Sequence, residues 1–189
     1  VSGTSPAPSI NPAPVLGSST SALGLTALPG GRGAGFHFNP TTAATMPEEG
    51  GGGRGAPPAT VPAAVGATHT TGFNGGDGRE GGTDHRTGGG GRGSAGNGET
   101  TISNTAGDGG PATISTIDGT SKEYGRGGGG GGRIGTDTAG APNGAINGAD
   151  GSPGVNPGDG GGGTGSNGAI PTLGGAGAPG IVIIRYRRA

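Results

Sequence analysis

Residues 125–135 read GRGGGGGGRIG, six consecutive glycines closed by Arg133, and this run decides what kind of interior the chain can have. A glycine hexamer carries no side chain to bury, so neither a helix stripe nor a strand face can be read from it. In polyproline-II geometry, with three residues per turn and no internal hydrogen bonds, every N–H and C=O points outward and needs a partner. Glycine alone lets such rods approach closely enough to bond one another. A stack of them would be a core made of main-chain hydrogen bonds.

Working outward, the same unit recurs. Glycine runs occur at 50–53, 88–91, 127–132 and 160–163, closing as GGGGRGA, GGGGRGS, GGGGRIG and GGGGTGS, with a weaker copy GGRGAG at 30–35. The closing residues Arg32, Arg54, Arg92, Arg133 and Thr164 are irregularly spaced, so one unit repeats while its connections vary. Runs of four to six glycines break the every-third-residue register of collagen.

Composition fits this reading. Of 189 residues, 54 are Gly and 16 Pro, whereas Val, Ile, Leu and Phe together number 24, too few for an ordinary packed core. Eleven basic residues nearly balance twelve acidic ones, leaving a formal charge of −1, which lacks the high net charge typical of disordered chains. There is no cysteine, hence no disulfide framework and no thiolate metal site. The longest large-apolar run, residues 181–184, is far short of a membrane span, and no membrane insertion is expected. The sequence begins at Val1 with no initiator Met or leader pattern, and is expected to be processed or part of a longer polypeptide.

Fixing each residue costs about 1–2 kcal/mol against a net gain of about 0.5–1.5 kcal/mol per hydrogen bond, so a glycine stack needs anchors or neighbouring chains. Candidate anchors are the β-branched segments 100–103 and 112–117, and the segment 180–187, read as a strand carried by Ile181, Val182, Ile183, Ile184, Arg185 and Tyr186. Residues 18–28 offer a further strand or a turn-rich piece. The expected fold class is mostly irregular/β: a polyglycine II-type stack with a few short strands, including a C-terminal one at 180–187. Residues 1–17, with Pro6, Pro8, Pro12 and Pro14, read as an arm or linker, and 18–189 as one glycine-rich repeat domain.

The sequences GGAGAPGIVIIRYRRA, TISTIDGTSKEYGRGGGGGG and GDGGGGTGSNG resemble the glycine-rich C-terminal domains of many bacteriophage virion proteins, mostly tail-fibre or tail-tip components. The likeness spans roughly residues 18–186, and its distinctive part is GIVIIRY at 180–186. The chain departs from the pattern in its many Pro and Arg residues and in lacking the domain's usual start. The resemblance implies a non-catalytic virion structural protein of a tail fibre or tail tip, displaying host-recognition loops. Its implied partners are other virion proteins and a host cell-surface receptor, in a homo-oligomer or larger assembly. A capsid decoration or head-fibre protein is the alternative. A related polyglycine II arrangement is implied for springtail antifreeze proteins, so the fold does not choose the function.

Other readings compete for the same residues. The Gly-Gly-Arg elements resemble RGG-type RNA-binding tracts, yet acidic residues are interspersed and no basic surplus exists to engage phosphates, so no nucleic acid is expected. Ice binding would favour flat threonine rows, and Thr41, Thr42, Thr45, Thr70 and Thr71 show no regular spacing. Five Asp-Gly pairs, at Asp77, Asp108, Asp118, Asp150 and Asp159, lack the nine-residue tandem of a calcium β-roll and read as turns. No acid–base pair, triad or paired histidine stands out, so no enzyme, cofactor or metal is expected. Candidate recognition loops are 36–49, 57–84 and 135–157, with Phe36, His37, Phe38, Phe73 and Tyr124 as exposed or interfacial aromatics.

Overall fold

In the computed structural model, residues 20–22, 24–27, 72–80, 86–133, 138–146, 148–165 and 172–186 are described. The arm at 1–17, the glycine copies at 30–35 and 50–53, and the loop 36–49 lie outside them. No helix occurs among the described residues. Regular pairing is confined to three short antiparallel hairpins. Strand β1 (Thr20–Ala22) pairs with β2 (Leu25–Ala27), β3 (Arg79–Glu80) with β4 (Arg86–Thr87), and β5 (Thr113–Ser115) with β6 (Lys122–Tyr124).

The remainder is a bundle of extended rods whose mutual bonds recur every third residue. Ser94, Gly91 and Gly88 donate their N–H groups to the carbonyls of Gly125, Gly128 and Gly131 at 2.7–2.8 Å, an antiparallel register of three. Gly107 and Gly110 donate to Gly88 and Gly91, a parallel register of three. A repeat of three residues is that of polyproline-II geometry, and every such ladder joins two separate rods.

The glycine hexamer is the middle of the bundle. Its rod bonds to 88–94 on one side and to 107–110 on another, through Gly127 and Gly130 donating to Gly110 and Gly107. On further sides it accepts at Arg126 and Gly129 from Gly160 and Gly163, at Gly130 from Gly140, and donates from Gly132 to Ala145. A rod bonded on all sides has no direction in which a Cβ could point. A Cβ built on Gly129, Gly130 or Gly131 would overlap the carbonyls of Gly140, Gly88 and Thr164 respectively.

Edge rods obey a looser rule. Along residues 172–179, Leu173, Ala176 and Pro179 are exposed while Thr172 and Gly175 are buried; along 149–155, Ala149, Ser152 and Val155 are exposed. In 172–179 one face in three is free, so every third position tolerates a side chain; 149–155 is more open still, with Asp150 and Pro153 exposed as well. The interior holds almost no hydrocarbon: among the described residues the buried hydrophobic ones are Ala106 and Ala145. The hydrogen-bonded glycine core expected from residues 125–135 is therefore the fold.

Several expectations are corrected. Residues 135–157 are not a loop, because 138–141 and 149–154 are rods: Ala106 and Gly109 donate to Thr138 and Ala141, and Gly151 and Gly154 donate to Leu173 and Ala176. Within 57–84, residues 74–77 likewise form a rod against 98–101. Residues 100–103 are not a strand. Thr101 is already committed to the rod contact with Asp77, and Ile102 and Thr105 close a tight reversal with Ser103 at φ 54°. Residues 112–117 do contain β5, and residues 18–28 contain the β1–β2 hairpin, turning at Gly24 with φ 78°. Ile181–Tyr186 is extended but pairs with no strand among the described residues, where the last main-chain bond of its rod is the one that Pro179 accepts from Gly158.

Candidate interaction surface

One end of the bundle is defined by a belt of main-chain bonds. Ser94 donates to Gly125, Gly125 to Pro157, and Gly158 to Pro179, at 2.7, 3.0 and 2.9 Å. Everything that leaves the bundle from this belt leaves at the same end. The β5–β6 hairpin departs at Thr113 and Tyr124, clamped by the Ser94 hydroxyl, which donates to the Tyr124 carbonyl at 2.6 Å and accepts from the Thr113 N–H at 2.8 Å. Val155 stands two residues before Pro157. Residues 180–186 follow Pro179 in a rod that runs toward this end, since Gly175 and Ala178 donate to Gly162 and Asp159 in antiparallel register with a rod running away from it.

The exposed large apolar residues concentrate here. Ile114, Ile117, Val155, Ile181, Val182, Ile184 and Tyr186 are all exposed, Val155 at 87% and Tyr186 at 84%. Ile102, Leu173 and Phe73 are exposed elsewhere on the bundle. Of the aromatics singled out from sequence, Phe73 is exposed beside the 74–77 rod, whereas Tyr124 is half-buried in β6 opposite Thr113. Phe36, His37 and Phe38 lie outside the described residues.

Polar side chains at this end serve the backbone. Asp159, 5% exposed, accepts the N–H of Arg126 on Oδ1 and that of Asn156 on Oδ2, both at 2.8 Å. Elsewhere Asp108 accepts from Ala141, and Asp150 from Leu173. Asp108 and Asp150 are therefore cross-rod acceptors, and Asp159 is both: Oδ1 reaches across to the Arg126 rod while Oδ2 closes the turn at Asn156. Of the five Asp-Gly pairs only Asp118-Gly119 has a glycine at positive φ, 93°. Sequence spacing could not separate the two roles, because both use the same dipeptide. Asn143 was missed altogether: its side chain accepts from Gly129 and donates to Gly160, bridging two rods from a buried position.

At the tip of the β5–β6 hairpin, Asp118 accepts from the N–H and hydroxyl of Thr120 and pairs with Lys122 at 2.6 Å. The Lys122 hydrogen bond, then the Thr120 N–H, lower the Asp118 pKa from 3.8 to about 2, and the same partner raises that of Lys122. A carboxylate with a depressed folded pKa stabilises the turn above its unfolded pKa and loses that contribution as pH falls toward the folded one. The hairpin tip is expected to be pH-independent between about 5 and about 9, to loosen between about 4 and about 2, and to lose the same pair again when alkaline pH deprotonates Lys122. Amide shifts of Gly119 and Thr120 followed by NMR check this, and Asp118→Asn should abolish the transition. Exposure and salt screening keep the effect local.

No group of three or more His, Asp or Glu side chains suited to a metal ion occurs among the described residues, and no described helix is long and apolar enough to cross a membrane. No curated protein and no solved structure matches the chain. A family model described as a glycine-rich domain matches residues 2–187, nearly the whole sequence. With its interior built from bonded glycine rods and its family match spanning those rods, the chain belongs to the glycine-rich domain family.

Proposed function

We propose that the chain is a non-catalytic structural component of a bacteriophage virion, at a tail fibre or tail tip, where it displays surface for host attachment. The observation that carries the reading is the division of labour in the bundle: main-chain bonds hold the interior, and side chains are free to vary at edge positions and at the belt end. A scaffold whose stability does not depend on side chains tolerates change on its surface, which suits a recognition platform. Its partners would be neighbouring virion proteins and a host surface receptor, and its location the extracellular particle. The residues resembling phage tail proteins, GIVIIRY at 180–186, leave the bundle at the end where attachment would occur.

An RGG-type RNA tract is disfavoured by geometry. Because the 88–94 and 125–133 rods are antiparallel, Arg92 and Arg133 stand toward opposite ends of the bundle, not along one backbone-tracking groove. Labelling the chain with a specific antibody on purified virions tests the proposal by electron microscopy. Label at the tail tip or fibre is expected; label on the shell would move the protein to capsid decoration, and its absence from particles would end the virion reading.

A further inference from the structure

We infer that the segment Ile181–Tyr186 is a pairing strand for a second copy of this chain, joined antiparallel about a two-fold axis at Ile184. Nothing in this pairing depends on the virion assignment. Six consecutive residues, four of them β-branched, are extended, largely exposed and without main-chain partners among the described residues. An unpaired strand of this composition is a template for strand addition.

Sequence and charge choose the occupant and the register. Three of the eleven basic residues, Arg185, Arg187 and Arg188, fall in 180–189 with no acidic residue, so the other 179 positions hold eight basic against twelve acidic ones. A body with that acidic surplus suits a partner segment carrying only positive charge, and an antiparallel ladder avoids the like-charge pair that a parallel one would make of Arg185 and Arg185. Pairing Val182 with Tyr186 and Ile184 with itself places Val182, Ile184 and Tyr186 of both copies on one wholly apolar face. The opposite face then sets Arg185 across from Ile183, and no arginine lies opposite another. A one-residue slip would put an arginine on both faces. The apolar face so formed contains Ile184, 60% exposed, and Tyr186, 84% exposed. Val155, Ile114 and Ile117 rim the same end and extend the contact beyond a six-residue ladder, as a lasting interface requires.

The natural chain has no cysteine, so single cysteines report the register directly. Ile184→Cys in the full chain, oxidised under mild conditions, is expected to yield a disulfide-linked dimer at least tenfold faster than Val182→Cys, because only residue 184 faces its own copy. In the unmodified protein, amide exchange at 181–186 should slow as concentration rises, with a sedimentation mass twice that of the chain; Ile184→Pro should abolish both while leaving amides 88–131 protected. A monomer at every concentration would overturn the inference, as would protection of 181–186 that ignores concentration, equal crosslinking at 182 and 184, or a dimer that survives Ile184→Pro.

Discussion

Gly162→Ala is expected to cost about 4 kcal/mol or more, enough to remove most of the stability of a domain this size. A Cβ on Gly162 would overlap the main-chain carbonyl of Asn143, and backbone cannot turn aside as a side chain can. The two rods would have to separate. Separation would lengthen the bonds from Gly162 to Ser152, Gly175 to Gly162 and Ser152 to Asn143, each about 3.0 Å now, and each orphaned buried group costs about 1–3 kcal/mol. The reduced freedom of the unfolded chain returns only about 0.4–1 kcal/mol. Gly96→Ala is the contrast: its Cβ would meet only the Pro111 ring, at 2.7 and 2.8 Å, where a small shift at the bundle's rim suffices. Urea unfolding monitored by amide exchange should separate the two, with Gly96→Ala within about 1–2 kcal/mol of the parent. Comparable losses in both would mean that close rod contact is not what holds the interior.

Asp159→Ala is expected to be the most damaging side-chain truncation at the belt end, at about 3 kcal/mol or more. The carboxylate accepts one N–H on each oxygen, from Arg126 and Asn156, and hydrogen bonds to a charged group are worth about 1.5–3 kcal/mol each. Both donors lose their acceptor together. The Arg126 N–H belongs to the central rod, and the Asn156 N–H to the turn that delivers Pro157 to Gly125, so the belt should open. Asp159→Asn keeps one acceptor oxygen and should lose about half as much. Thermal unfolding of the three proteins at neutral pH checks the ranking Asp159, Asn, Ala; an alanine variant as stable as the parent would mean that water replaces the carboxylate without loss.

These outcomes would also locate the chain's stability. In most domains, burial of large apolar side chains supplies the largest share of the folding free energy. Here the buried hydrophobic residues are two alanines among the described positions, so acceptor and donor matching carries that burden and errors in it should be correspondingly severe. Surface changes at the outward third positions, such as Ala176 or Ser152, touch no such bond through their side chains.

The glycine runs by themselves determined the kind of interior, because six residues without side chains leave only main-chain groups to pair. They also marked the middle of the bundle: the longest run became a rod bonded on several sides, where a Cβ on Gly129, Gly130 or Gly131 would meet a neighbouring carbonyl. Tertiary structure decided which glycine-poor stretches join in. Residues 138–141 and 149–154 look like connecting loops in sequence and become rods, because an edge rod needs glycine only where it faces a neighbour. It also decided that Asp108 and Asp150 bind across rods, that Asp118 makes a turn and that Asp159 does both, a distinction set by which N–H lies opposite and invisible in the shared Asp-Gly pair. The β-branched composition of residues 181–186 announced a strand, but a strand is made by its neighbour, and none of the described rods supplies one.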